Sequence, residues 1–307
     1  MTETGDPKAE ATEVAVELPN WRTMWDFQDP AGTEARFREA LSAGEAAGDE
    51  EYVLIVTTQL GRTFGLRRLF EEAHAIQDTV EARLEGASTE VRMRYLLERG
   101  RTINSAGDPA ASMALFEEAW DIGHTPAAAG LDNLTADAGH MLGIAAEGEA
   151  ALDWAAKTIR FCEETDDQRC KGWLGPLYNN TGWTHHDLGN FEAALELWEK
   201  GVAFREAAGE ENSIFIARWT IGRCYRSMGR LEEALASQEA LHAARAAAIN
   251  PGAGYVEEEL GEVLLALGRA DEATPWFGKA YDMLHTDEWL QAEEPERLAR
   301  LKELGAR

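Results

Sequence analysis

Apolar positions along this chain recur at three- and four-residue intervals from about Thr33 onward, and the alternation expected of strands is almost absent. β-branched residues are scattered singly. The one strand-like run, 53–58 (VLIVTT), flows into a helical pattern ending near Gly65 and reads as helix. Residues 1–20 are charged and aperiodic, which predicts a disordered leader. Residues 21–307 read as a single all-α domain.

The helical patterns repeat. Six segments align on one glycine: QLGRTF (Gly61), ERGRTI (Gly100), DAGHML (Gly139), NTGWTH (Gly182), TIGRCY (Gly222) and ELGEVL (Gly261). Successive spacings are 39, 39, 43, 40 and 39 residues. Twelve residues after each glycine stands a small residue: Ala73, Ser112, Ala151, Ala194, Ala234 and Ala273. Three residues after it stands a large apolar one, namely Phe64, Ile103, Leu142, Tyr225 or Leu264, with His185 as the exception. Between the two halves lie turn signals such as Gly107-Asp108-Pro109, Gly189-Asn190, Gly229-Arg230 and Gly268-Arg269.

This pattern predicts helical hairpins. The first helix carries the glycine and the second the small residue, and the two approach where neither has a bulky side chain. Each hairpin leaves an apolar face that only a neighbour can cover, so hairpins stack. Six are expected, over about 51–86, 91–124, 129–165, 172–208, 213–247 and 253–286. A lone helix over 33–47 precedes them. Residues 290–304 read as a capping helix, with Leu298, Leu301 and Leu304 turned toward the last hairpin.

The segments LYNNTGWTHHDLGNFEAALELWEKG (177–201), IARWTIGRCYRSMGRLEEALA (216–236) and YVEEELGEVLLALGRADEATPWFGKAY (255–281) resemble the tetratricopeptide repeat (TPR) family. The family period is about 34 residues, and the longer period here predicts longer helices or turns. The resemblance implies a right-handed α-solenoid that acts as a protein-interaction module. It also implies a concave groove lined by residues three before, one after and four after each glycine. Carried over, the candidate groove residues are Arg62, Arg101, Asn104, His140, Asn179, Trp183, His186, Trp219, Arg223, Arg226, Glu258 and Glu262. They make an electropositive, aromatic middle with an acidic end. Arginine forks suit carboxylates, so the expected partner is a protein or peptide offering an acidic group or a C-terminal carboxylate. A ligand- or peptide-responsive sensor is the alternative. A second alternative is an enzyme built on His140, His186 and Asp187.

Composition narrows the partners. Lys+Arg number 29 against 56 Asp+Glu, a formal net charge of −27, which repels nucleic acid and anionic membrane surfaces. No apolar run is long enough for a membrane span, and the acidic N-terminus lacks signal-peptide character, so a cytoplasmic location is expected. Three cysteines without a C-x-x-C pair give no thiolate metal site. No phosphate-binding glycine loop, H-E-x-x-H or G-x-S-x-G occurs. No cofactor, no metal and no enzymatic activity are therefore expected. The polar terminal helix favours a monomer or weak homodimer.

Overall fold

The computed structural model describes residues 17–209, 211–246 and 254–306. Of the expected leader, residues 1–16 lie outside these; residues 17–20 lead without regular structure into a 3-10 turn, Trp21–Met24. Among the described residues every regular element is helical. The chain divides into two compact units, Met1–Ala138 and Gly139–Arg307.

The first unit holds α1 (Pro30–Ala47), α2 (Glu50–Leu66), α3 (Phe70–Glu81), α4 (Thr89–Ser105), α5 (Pro109–Gly123) and the start of α6 (Asp132–Ala145). The starts of α1, α2, α4 and α5 are capped by short polar side chains. Asp29, Asp49, Ser88 and Asp108 accept from the backbone N–H three residues on, and Pro30 and Pro109 take the first helical position, where a missing N–H costs nothing. The helix expected alone over 33–47 is α1, and it packs on α2; α2 pairs with α3, and α4 with α5.

The second unit continues from Gly139 in α6 through α7 (Gly148–Glu164), α8 (Gln168–Lys171), α9 (Leu174–Asp187), α10 (Phe191–Ala208), α11 (Glu211–Ser227), α12 (Leu231–Ala246), α13 (Tyr255–Ala266) and α14 (Ala270–Leu284), to α15 (Glu288–Glu293) and α16 (Pro295–Leu304). Helices α9 and α10, α11 and α12, and α13 and α14 form hairpins. The capping segment is two helices rather than one, because Pro295 cannot continue α15 and instead opens α16. Leu298 and Leu301 are buried against α13 and α14, and Leu304 packs at the margin of that cluster.

The aligned glycines do something more specific than the spacing predicts. In five hairpins the glycine faces not the small residue but the side chain four residues beyond it. A Cβ added to Gly61 would stand 2.5 Å from Gln77, on Gly100 2.5 Å from Phe116, and on Gly182 2.3 Å from Trp198. On Gly222 it would stand 2.3 Å from Gln238, and on Gly261 2.9 Å from Phe277. These five side chains are at most 1% exposed. Three of them also donate to the carbonyl three residues before the glycine: Gln77 Nε2 to Thr58 at 3.3 Å, Trp198 Nε1 to Asn179 at 3.2 Å, and Gln238 Nε2 to Trp219 at 3.0 Å. The large residue therefore seats on bare backbone, and the small residue one turn earlier lets it reach there. The third hairpin has Ala155 at the corresponding place. There Gly143, one turn after the aligned Gly139, lies in ordinary contact with the second helix, a Cβ on it meeting backbone atoms of Ala151 and Ala155 at 3.7 and 3.9 Å.

The hairpin turns are uniform too. Gly107, Gly189, Gly229 and Gly268, each seven residues after an aligned glycine, have φ of 103°, 78°, 74° and 76°. The first hairpin places Arg68 at this position, with φ 59°.

A methyl group at Gly182 must displace a buried indole. Gly182→Ala is expected to cost about 2 kcal/mol. Gly201→Ala, in the middle of α10 with its nearest neighbour at an ordinary 3.6 Å, should instead stabilise by about 0.5–1 kcal/mol. Urea denaturation of the two variants checks the opposite signs.

His185 stands where the other hairpins carry an apolar residue. Its Nδ1 is buried without a hydrogen bond, and burial lowers its pKa below the ordinary histidine value. As pH falls through the unfolded-state value of about 6.5, the unfolded chain takes up the proton first, and the native state loses stability. His185→Leu is expected to raise the melting temperature and to shrink its fall between about pH 7 and pH 5. An unchanged pH slope in scanning calorimetry contradicts this account.

Candidate functional site

The site residues are carried on first helices, and each unit is taken separately. In the first unit Arg62, one residue after its glycine, reaches from α2 to Glu98 of α4 at 3.3 Å. Arg101, one after the next glycine, pairs with Glu98 at 3.2 Å and with Asp137 of α6. Glu98 and Asp137 each lie two residues before an aligned glycine, and both are buried. The register is therefore regular: a guanidinium just past one glycine meets a carboxylate just before the next. Burial disfavours the charge on Arg101, but Asp137 and Glu98 outweigh it and hold the guanidinium pKa above its usual value. Arg62 also lies over Trp25 and Phe27, at 5.6 and 5.5 Å from their ring centres. Asn104 is half-buried at the end of α4.

The second unit interrupts this register and then resumes it. His140 of α6 stands where a guanidinium would, and it packs on the Trp173 ring at 5.0 Å. Asn179 donates to Asn180 and offers its carbonyl to Trp198. Trp183 of α9 replaces the next guanidinium. It stands edge-on to Trp198 at 5.0 Å and tilted against Trp219 of α11 at 6.3 Å. Trp219 Nε1 donates to the Tyr255 carbonyl at 3.0 Å. The arginine–carboxylate register resumes with Arg223, whose Nη1 lies 3.7 Å from Glu259. Arg226 takes Glu259 with both arms of its fork, at 2.5 and 3.1 Å. Burial works against its charge, but the Glu259 hydrogen bonds raise its pKa.

The expected acidic end is neutralised from within. Glu258 receives both arms of Arg297 at 2.8 and 2.6 Å, and Glu262 both arms of Arg300, so α16 is tied to α13 by two charge-assisted forks. Glu98, Asp137 and Glu259 were absent from the expected site, because the family's groove positions omit the residue two before the glycine. Three acids in that one register were the available signal.

Arg223 differs from its neighbours. Its guanidinium carbon lies 5.8 Å from both the Trp183 and the Trp219 ring centres. Its side chain is 35% exposed, its Nε is buried without a partner, and its one carboxylate contact is a long one. A planar donor fork between two indoles is thus left with unused hydrogen-bonding capacity.

His186 Nε2 lies 2.8 Å from Ser227 Oγ, and its ring packs on Trp183, Phe191 and Trp198. Asp187 stands 3.6 Å from His186 Nδ1, beyond hydrogen-bond range, and is 78% exposed. Among the described residues no group of three or more His, Cys, Asp or Glu side chains could hold a metal ion, and no helix is long and apolar enough to cross a membrane.

Tetratricopeptide-repeat family models match residues 177–211 and 217–241. No curated protein matches the chain. Among solved structures, the apo form of RapI is similar with a TM-score of 0.72 at 12% identity, covering 92% of this chain and 78% of that one. The apo form of the quorum sensor NprR from B. thuringiensis has a TM-score of 0.61 at 16% identity, with the same two coverages. NprR in complex with its cognate peptide NprX has a TM-score of 0.52 at 15% identity, covering 92% of this chain and 80% of that one.

Removing Arg226 leaves the buried Glu259 carboxylate with only the distant Arg223. Arg226→Ala is expected to cost about 2 kcal/mol. Adding Glu259→Gln to that background should recover part of the loss, because it removes the stranded charge. A double-mutant cycle in urea measures this; strictly additive losses would contradict the pairing.

Proposed function

The chain is a tetratricopeptide-repeat protein, and from that premise we propose that it is a non-enzymatic interaction module whose first-helix face binds a peptide or protein tail through Trp183, Trp219 and Arg223. The observation that carries the reading is the incompletely paired Arg223 fork between two indole rings. Its free donors suit a carboxylate, either an acidic side chain or a chain terminus. The indoles give a neighbouring apolar residue a rigid surface at small entropic cost. One charge-assisted contact nets roughly 1.5–3 kcal/mol, and burial of an apolar side chain against the two indoles adds roughly 1.5–3 kcal/mol more toward the roughly 8 kcal/mol of a micromolar complex. Of the other candidates in the same unit, His186 packs on Trp183, and Arg226 shares Glu259 with Arg223.

The likeness in fold to a quorum sensor solved with its cognate peptide supports a peptide as the ligand class, and a peptide-responsive sensor is the second reading. The enzyme alternative is weaker. Ser227 closes α11, where the helix presents carbonyl ends, the wrong polarity for stabilising an oxyanion. Asp187 is too far from His186 and too exposed to orient it.

An array of peptides with free C-termini, probed with the wild-type chain and with Arg223→Ala, tests the proposal. Carboxylate-terminated or acidic peptides carrying an apolar residue should bind, and Arg223→Ala should weaken them by about tenfold or more while leaving the circular dichroism unchanged. Peptide binding indifferent to Arg223, or no peptide binding at all, overturns it.

A further inference from the structure

A second feature lies wholly within the first unit and does not depend on the peptide reading. The ends of α2 and α4 border an open pocket of about 310 Å³, lined among others by Arg62, Arg68, Arg101, Glu98, Thr102 and Ser105. That is room for several waters or for a compact organic anion.

Three guanidiniums border this space, and they are unequally committed. Arg101 is held by Glu98 and Asp137. Arg62 makes one hydrogen bond, to Glu98, and its Nε is buried without a partner. Arg68 has neither a carboxylate nor a side-chain hydrogen bond among the described residues; its nearest ring is Phe70 at 5.8 Å. The Ser105 hydroxyl is exposed and makes no hydrogen bond among the described residues. Counting Glu98 and Asp137 against the three arginines leaves one positive charge and a set of unused donors facing a cavity, in a chain whose formal net charge is −27.

The backbone supplies an independent argument. Arg68 occupies the turn position that glycine fills in four other hairpins, with φ 59°. A left-handed conformation is unfavourable for an arginine and free for glycine. Strain of this kind persists where the side chain is used. Here it brings an unpaired guanidinium to the cavity rim, which a glycine turn would leave bare.

We propose that this cavity is a binding site for a small phosphate monoester, with Arg68 and Arg62 as the phosphate-holding forks and Ser105 as an additional donor. A phosphate group carries about 1.5 to 2 negative charges at neutral pH and three acceptor oxygens, which matches two partly free forks better than a single carboxylate does. Phe70 and Leu66, which also line the cavity, offer apolar contact for the organic part of the ligand.

Isothermal titration of the full chain with glycerol 3-phosphate, inorganic phosphate and malonate, at matched ionic strength, tests the site. Saturable one-to-one binding of glycerol 3-phosphate, about tenfold tighter than malonate, is expected. Arg68→Gly keeps the turn and removes the fork; it should lose about tenfold in affinity without lowering the melting temperature. Arg223→Ala, which bears on the peptide reading alone, should bind glycerol 3-phosphate as the wild type does. The proposal is overturned by malonate binding as tightly as the ester, by Arg68→Gly binding unchanged, by Arg223→Ala losing as much as Arg68→Gly, or by no saturable binding of any of the three.

Discussion

The interaction on which the hairpins depend is a large side chain of the second helix lying on the bare backbone of the first. Phe116, Trp198 and Phe277 bury whole rings there, each contributing about 2–3 kcal/mol of transfer free energy. Gln77 and Gln238 fill the same seat with an amide that donates to a helix carbonyl. The seat exists only because the first helix has no Cβ at that place, so the glycine cannot vary while its partner can. This is why the glycines recur visibly in the sequence while the residues sixteen positions later look unrelated.

The same logic governs charge. Carboxylates outnumber basic side chains nearly two to one, yet Glu98, Asp137, Glu258 and Glu259 are buried. Each is met by an arginine from the preceding first helix or from the terminal helix. A buried ion pair adds little net stability over a well-packed apolar pair, but a mismatched one is strongly penalised. These pairs therefore act on register: a helix shifted by one residue strands a charge. Within each unit these carboxylates are neutralised, and ligand chemistry falls to the places where pairing is incomplete.

Much of this architecture was legible in the sequence. The all-helical character, the hairpins, their turns and the last leucines follow from period, glycine spacing and turn chemistry, because each reflects a steric requirement that few residues meet. The hidden parts have equally physical causes. Gln77 and Gln238 are polar, so a hydrophobic pattern assigns them to the surface, although they are 0% exposed. The break at Pro295 was overlooked because the apolar period runs on through it. The carboxylate partners of the arginines in the expected electropositive middle are hidden in the sequence, because they lie on another helix, 33 to 36 residues away. Arg68 gave no signal by residue type; what marks it is its place in a register otherwise held by glycine.

Arg223 and Arg68 stand in different surroundings, and the surroundings decide what each can hold. Arg223 lies between indoles, where a ligand gains affinity by covering apolar surface as well as by satisfying donors. That favours an extended chain with a side chain to bury. Arg68 borders an open pocket shared with a second partly free fork and a hydroxyl, where a ligand gains by matching several donors within a small volume. That favours a compact, highly charged group. In both places water is the competitor. The Arg223 fork, pressed against two rings, has lost part of its hydration before any ligand arrives, so less solvation remains to be removed there, whereas the exposed Arg68 must gain its affinity from the number of donors it shares.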